Sequence, residues 1–386
     1  MEYIFNESMK NFSLTQEDTM RIDRIEMYRV CNPIKNPYTT SFGSQNAFNS
    51  VVVKIESEGI IGWGESAPWG GPFFSSYYDK GCFGLGKDFI IPKILHQNFD
   101  HPDELTEILK PLRGNEFAKA PFDVALWDIW SRKQGISLKK AVGGTQEKAS
   151  IGYCFGVLKT FDDLIAGIDK VTSMGYPRVK LKFCPGWECD MLEAVRKVYP
   201  KLTIHIDCNS AYTLDDIDML RSLDKYDLAM IEQPLMHDDL IDHAKLQKMI
   251  ATPICLDESI CSVQNARQAI EIGACKYINI KYGRVGGIST SLKIHDLCAQ
   301  NNIGCWMGGM GESSLGTTVV ATLATLPNSN YPSDISPADK FYVENLGTPI
   351  LTTDQPGTYT LRDNPGLDVV PNFEVLEKYK KDEFFA

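Results

Sequence analysis

Five apolar strands that each end in a charge, about 25 residues apart, constrain this chain more than any other feature. Lys180-Leu181-Lys182 closes the first, and Asp207 closes the second (Ile204-His205-Ile206-Asp207). Glu232 ends the third (Ala229-Met230-Ile231-Glu232), Asp257 and Glu258 end the fourth (Ile254-Cys255-Leu256), and Lys281 ends Tyr277-Ile278-Asn279-Ile280. A strand covered on both faces should be continuously apolar. Charges at its end are costly unless they share a site. The spacing is that of one strand, one helix and two loops in a β/α barrel, where all strand C-termini open on one face. The five would converge there.

The surrounding pattern agrees. Strands are predicted near 149–156, 178–183, 203–208, 228–233, 253–257, 277–281 and 303–307, with a short eighth near 331–335. Helices fall between them, for example at 161–171, 191–198, 214–223, 266–272 and 289–299. Alternation of this length argues for a parallel sheet, and eight units argue for closure into a barrel. No Gly-x-Gly-x-x-Gly follows a first strand, so a dinucleotide fold lacks its fingerprint. Before the barrel, 21–28 alternates as a half-buried strand, 32–37 is rich in turn residues, and 51–55 and 60–65 form a hairpin around Ser57-Glu58-Gly59. Residues 118–133 read as an amphipathic helix whose Trp127 and Trp130 are core. Residues 1–19 read as an extension or flexible arm, and the tail after 340 as extended structure returning to the first domain.

A net charge of −11 argues against a nucleic-acid or anionic-membrane surface, either of which needs a basic patch. Eleven cysteines occur with no C-x-x-C pair and no zinc spacing, and several lie in predicted strands. A reducing, cytoplasmic setting is the simplest reading. The first residues lack the basic start and apolar core of a signal peptide.

Asp207, Glu232 and Asp257 cannot crowd together as bare anions without large pKa rises. A divalent cation resolves this, and hard oxygen ligands with open positions suit Mg²⁺. Asn209 and Glu258 stand beside these acids as supporting candidates. Lys180 and Lys182 are two apart on one strand and point to the same side. Lys281 comes from across the barrel. A cation flanked by lysines suits removal and return of a proton next to a carboxylate. Two other uses of such a barrel fit less well: a Schiff-base lysine aldolase needs no three-acid cluster, and a phosphate site would use Gly308-Gly309-Met310-Gly311, a weak signal. His205, two before Asp207, reads as a barrel-layer residue. The loop Ala67 to Phe74 is apolar yet rich in Gly and Pro, and serves equally as a pocket wall or as packed core.

These residues resemble the muconate-lactonizing subgroup of the enolase superfamily, in particular its o-succinylbenzoate synthase/N-succinylamino acid (N-acylamino acid) racemase branch. The likeness rests on K-x-K at 180–182, I-D-C-N-S, I-E-Q-P-L, L-D-E-S and I-K-Y-G-R-V-G-G, with T-S-F-G at 40–43 and G-W-G-E at 62–65. It implies a modified (β/α)7β TIM barrel at 146–340 under an α+β capping domain at 20–145, to which 341–386 returns. It implies Mg²⁺, with Mn²⁺ able to substitute, on Asp207, Glu232 and Asp257. Lys182 and Lys281 would be the acid/base pair, Lys180 would tune Lys182, and Arg284 would modulate Lys281. Substrate contacts would come from Ser41, Phe42, Trp69, Phe73, Gly309, Met310 and Glu312. The implied partner is a small-molecule carboxylate, and the family habit is an even-numbered homo-oligomer.

The chain departs from the branch at Gly311, where a larger residue is expected, at Asn46 and Asn49, where an arginine is expected, and in the aromatic run after Trp69. A muconate-type cycloisomerase and a catalytically silent metal- or ligand-binding barrel remain as alternatives. A dipeptide epimerase would carry Asp-x-Asp where this chain has Ser333-Asp334-Ile335-Ser336.

Overall fold

The computed structural model describes residues 19–40, 43–335, 341–353 and 357–386. Three antiparallel strands open the fold, β1 (Arg24–Thr40), β2 (Gly43–Ser57) and β3 (Ile60–Ser66). β1 and β2 form one long hairpin, from Arg24 opposite Glu56 to Thr40 opposite Gly43. The turn-rich stretch 32–37 does not interrupt it as the sequence suggested. Pro33 and Pro37 have no N–H to give to a ladder. The strand absorbs them by a register shift between Pro33 and Tyr38 and then resumes pairing. The hairpin around Ser57-Glu58-Gly59 is present, with Ser57 opposite Ile60.

The helix α1 (Glu116–Lys133) corrects a second expectation. It is not amphipathic, because 14 of its 18 residues are buried. A helix apolar on all sides belongs between layers, and this one lies between the β2–β3 sheet and the barrel. Two glycines of β3 allow that approach. A Cβ at Gly64 would stand 1.9 Å from the Pro121 carbonyl oxygen, and one at Gly62 would stand 2.2 Å from that of Ala125. Trp127 is fully buried, as expected of core, and its Nε1–H donates to Ser289 Oγ at 2.8 Å.

Seven parallel strands follow: β4 (Tyr153–Phe155), β5 (Arg178–Lys182), β6 (Thr203–Asp207), β7 (Ile231–Glu232), β8 (Ile254–Leu256), β9 (Tyr277–Ile280) and β10 (Gly304–Met307). They pair in chain order, so each crossover brings the next strand alongside the last. The ring closes through single parallel bridges rather than a regular strand. Ser329 and Asp334 meet the β10 side at Cys305 and Gly308, and Ser333 meets Ile151. Ser333 N–H donates to Ser150 O and Asp334 N–H to Met307 O, both at 2.9 Å. This is the (β/α)7β arrangement. The last strand, β11 (Lys380–Phe385), pairs antiparallel with β1 at the edge of the opening sheet. Among the described residues no helix is long and apolar enough to cross a membrane.

Candidate active site

Register brings the strand-end charges to one level. Lys182 lies opposite Asp207, and Asp207 lies opposite Glu232. Lys281 follows β9, four strands on from β5 in a ring of eight, so Lys182 and Lys281 enter from opposite points of the wall. The buried parts of the strands around the acids are apolar apart from His205 and Asn279, so the carboxylates turn toward the lysines and these two side chains.

The result is a buried network of alternating charge. Lys180 Nζ reaches Glu232 Oε2 at 2.8 Å, Asp207 Oδ2 at 2.9 Å and Asp334 Oδ2 at 3.0 Å. Lys182 Nζ donates to the same Asp207 Oδ2 at 2.7 Å and to Asn209 Oδ1 at 2.5 Å. On the far side Lys281 Nζ donates to Asp257 Oδ2 at 2.8 Å. Arg284 holds the other oxygen of Asp257 and donates to the carbonyls of Ile260 at 2.9 Å and Asn279 at 2.6 Å. Asn209 Nδ2 donates to Glu258 Oε1, and Asn279 Nδ2 to Glu232 Oε1, both at 2.9 Å. His205 lies inside the barrel with one ring nitrogen 3.2 Å from Glu232 Oε2 and the other 3.0 Å from Tyr331 Oη.

Burial opposes charge on every one of these groups, and pairing decides the outcome. For Asp207, burial is overcome by Lys180 and Lys182, which hold its carboxyl well below the usual range. For Asp257, burial is overcome by Arg284 and then Lys281. Lys180 and Lys182 pay the same desolvation cost but keep their protons more tightly than an ordinary lysine, because Asp207 lies against both. Glu258 has the weaker company of Asn209. Burial first, then Asp257 and Asp207, push its carboxyl up to about 8.

As they stand, the described residues gather no three His, Cys, Asp or Glu side chains ready to hold a metal ion. Lys180 is the reason on one side, since its ammonium already occupies the oxygens that Asp207 and Glu232 turn inward. The donor set nevertheless fits a hard divalent cation. It is made of carboxylate oxygens already arranged around positive charge, and Glu258 Oε2 is buried with no hydrogen-bond partner.

The expected substrate residues are placed unevenly. Ser41 and Phe42 lie outside the described residues. Trp69 is buried, and its Nε1–H donates to Met310 O at 2.7 Å, which ties the 69 loop to the loop after β10. Met310 N–H donates to Glu312 Oε2 at 2.7 Å, and Gly309 N–H to Asp334 O at 2.9 Å. Burial pushes the Glu312 carboxyl up to about 7. Phe73 is 72% exposed, whereas its neighbour Phe74 lies with its ring centre 4.8 Å from Lys281 Nζ. An aromatic wall continues from Phe74 to Trp69 (5.5 Å between ring centres), Phe48 (5.4 Å) and Phe341 (5.2 Å), with Tyr38 5.9 Å from Phe48. The departure at Gly311 belongs to this wall. Its φ is +80°, and a Cβ there would stand 2.8 Å from Phe48, so Phe48 takes the room that a larger residue would need.

The sequence placed Phe74 in a candidate pocket-wall loop without singling it out, and it gave no role to Tyr38, Phe48, Phe341, Asn279 or Asp334. Asn279 had a signal, a polar residue two before Lys281 inside an apolar strand. The G-W-G-E motif acquires a structural meaning as well. Buried Glu65 accepts from Ser313 N–H at 3.2 Å, Ser313 Oγ–H at 2.7 Å and Gly316 N–H at 3.0 Å, which locks β3 to the segment after β10.

Comparison with known proteins agrees with this geometry. Residues 24–143 match the family described as the mandelate racemase/muconate lactonizing enzyme N-terminal domain, and residues 163–375 match the enolase C-terminal domain-like family. The chain is 40% identical over 368 residues to o-succinylbenzoate synthase of Bacillus subtilis, covering 95% of this chain and 99% of the relative. It is 38% identical over 327 residues to N-succinylamino acid racemase of Thermus thermophilus, covering 85% and 89%. A solved enolase-superfamily structure from Listeria innocua superposes with a TM-score of 0.91 at 36% identity, over 95% of this chain and 99% of that one.

Proposed function

The chain belongs to the mandelate racemase/muconate lactonizing enzyme family of the enolase superfamily, and from that premise we propose that it removes the proton α to a carboxylate in a divalent-cation-dependent reaction. Its product is o-succinylbenzoate, by loss of water from a cyclohexadiene precursor. The observation that carries this reading is the pair of lysines entering one acid cluster from opposite points of the ring, Lys182 on Asp207 and Lys281 on Asp257. Asp207, Glu232 and Asp257 would hold the cation, Mg²⁺ first and Mn²⁺ as a substitute. When bound, it stabilises the negative charge that develops on the substrate carboxylate.

Lys182 takes the α-proton as the base, which requires its hold on Asp207 to loosen. The C–O bond to the leaving hydroxyl then breaks on the same face. Lys182 returns its proton to that oxygen, so water leaves and a carbon–carbon double bond remains. Lys281 stays protonated across the ring and offsets the developing charge. The aromatic wall around Phe74 and Trp69 keeps water from the reacting carbon.

A second reading, racemisation of N-succinyl or other N-acyl amino acids, is favoured by Arg284. It holds the carboxylate that holds Lys281, and so reaches the second lysine through one shared acid. In that reaction Lys182 takes the proton from one face and Lys281 returns one to the other. Either chemistry suits a cytoplasmic homo-oligomer, and the synthase reaction would serve menaquinone synthesis.

Proton NMR in D₂O tests the reading, with Mg²⁺ and a panel of N-succinyl and N-acetyl amino acids beside the synthase substrate. The expected result is metal-dependent loss of the α-proton signal or formation of o-succinylbenzoate, abolished by EDTA. Loss of optical rotation would mark the racemase. No exchange and no product on any of these substrates would overturn the reading.

A further inference from the structure

The first lysine of the K-x-K pair sits where a cation would have to act. Lys180 Nζ occupies Asp207 Oδ2 and Glu232 Oε2, and its side chain is 4% exposed. Asp207 Oδ2 already carries two ammonium groups, Lys180 and Lys182, so a divalent cation on the same oxygens is repelled at close range, and a buried ammonium stripped of its partners is strongly disfavoured. The ammonium therefore needs another anion within reach that a cation does not claim.

Asp334 meets that description. It comes from the segment that closes the barrel, not from the strands that carry the three acids. Its Oδ2 lies 3.0 Å from Lys180 Nζ. Its Oδ1 is held by Arg178, which is fully buried and is itself fixed by two hydrogen bonds to Pro332 O at 3.0 and 2.7 Å. The guanidinium is packed between Trp306 and Tyr331, 5.6 and 5.5 Å from their ring centres. The Trp306 ring also lies 5.3 Å from Lys180 Nζ, so a π face completes the place that Asp334 offers.

We propose that Asp334 is a positioning residue that retains the Lys180 ammonium when a divalent cation takes the carboxylates of Asp207 and Glu232, and so sets the cation affinity. Without Asp334, Lys180 stays on the two acids and competes with the cation for them. This rests on the cation-dependent reading above, and its test separates the two.

Chelator-stripped protein is titrated with MgCl₂ while its thermal unfolding is followed, which reads affinity without turnover. Wild type is expected to gain stability with Mg²⁺, and Asp334→Asn to need about tenfold more Mg²⁺ for the same gain. In a Lys180→Met background the Asp334→Asn change should alter the affinity by no more than about twofold, because the competitor is gone. No Mg²⁺ effect on wild type overturns the cation reading together with this inference. Wild-type binding with an unchanged affinity in Asp334→Asn overturns this inference alone. An equal loss with and without Lys180 does the same, since Asp334 would then act on the cation directly.

A crystal structure of the wild type with Mn²⁺ gives a check that needs no variant to fold. Lys180 should remain on Asp334 and be withdrawn from Asp207 and Glu232, and an ammonium still on all three carboxylates would refute the proposal.

Discussion

The acid–lysine floor of the barrel and the aromatic wall above it are built by opposite logic. On the floor every charge answers another, and the partners come from strand ends about 25 residues apart. In the wall, side chains from positions 38, 48, 69, 74 and 341 pack ring against ring, and Trp69 is anchored to Met310 O. The floor fixes what reaction is possible. The wall fixes what can be admitted to it. A change on the floor should therefore cost turnover, and a change in the wall should cost recognition or stability.

The sharpest division is at the lysines. Lys182→Ala and Lys281→Ala are each expected to lower turnover by about 10³-fold while the chain stays folded. Substrate kinetics beside a circular dichroism spectrum would check this, and near-normal turnover in either variant would break the two-lysine account. In the wall, Phe74→Ala removes the ring that lies over Lys281. It should reduce kcat/KM by about tenfold, mostly through KM. A fall confined to kcat would place Phe74 with the floor instead.

Gly311 tests the wall's packing. Gly311→Leu faces both a positive φ and Phe48, and is expected to cost about 2 kcal/mol in a urea titration. Adding Phe48→Ala should make the double variant more stable than the sum of the two single losses, because one change vacates what the other fills. Strict additivity would mean that Phe48 does not occupy the space of the missing side chain.

The smallest effect lies outside both regions, where buried Asp123 of α1 accepts from Ser289 Oγ–H and N–H. Burial pushes its carboxyl up to about 7, so the folded chain holds this proton more tightly than the unfolded one. Its contribution to stability therefore falls as pH rises from about 3.8 to about 7. Asp123→Asn should flatten the decline of Tm across that window, and an unchanged slope would assign the decline to the other carboxyls raised in the same sense, Glu65, Asp128, Glu258 and Glu312 among them.

The same contrast explains what could be read from the chain in advance. An acid at the end of an unbroken apolar run, as in Ile254-Cys255-Leu256-Asp257, is conspicuous because burial forbids it without a purpose. Regular spacing then gives the barrel and the level at which the charges meet. Phe48 and Phe341 carry no such mark. Each looks like an ordinary core residue, and they are nearly 300 positions apart in the sequence. The role of Asp334 is hidden for a related reason: its segment reads as a short eighth strand, but it pairs through isolated bridges and nothing in the sequence shows that the acid faces Lys180. The helix 116–133 departs from the amphipathic reading because its polar Asp123, Asp128 and Ser131 are buried along with Trp127 and Trp130, so burial covers nearly the whole circumference and the sequence pattern does not show it.

The stitched closure of the ring also bears on how the chain is made. Strand β4 has a neighbour on one side only until Ser333 arrives, nearly 180 residues later, and β1 waits still longer for β11. Both sheets keep an open edge until segments far along the chain have been made. Loop closure over that distance is slow, and an unpaired edge is a template for other chains.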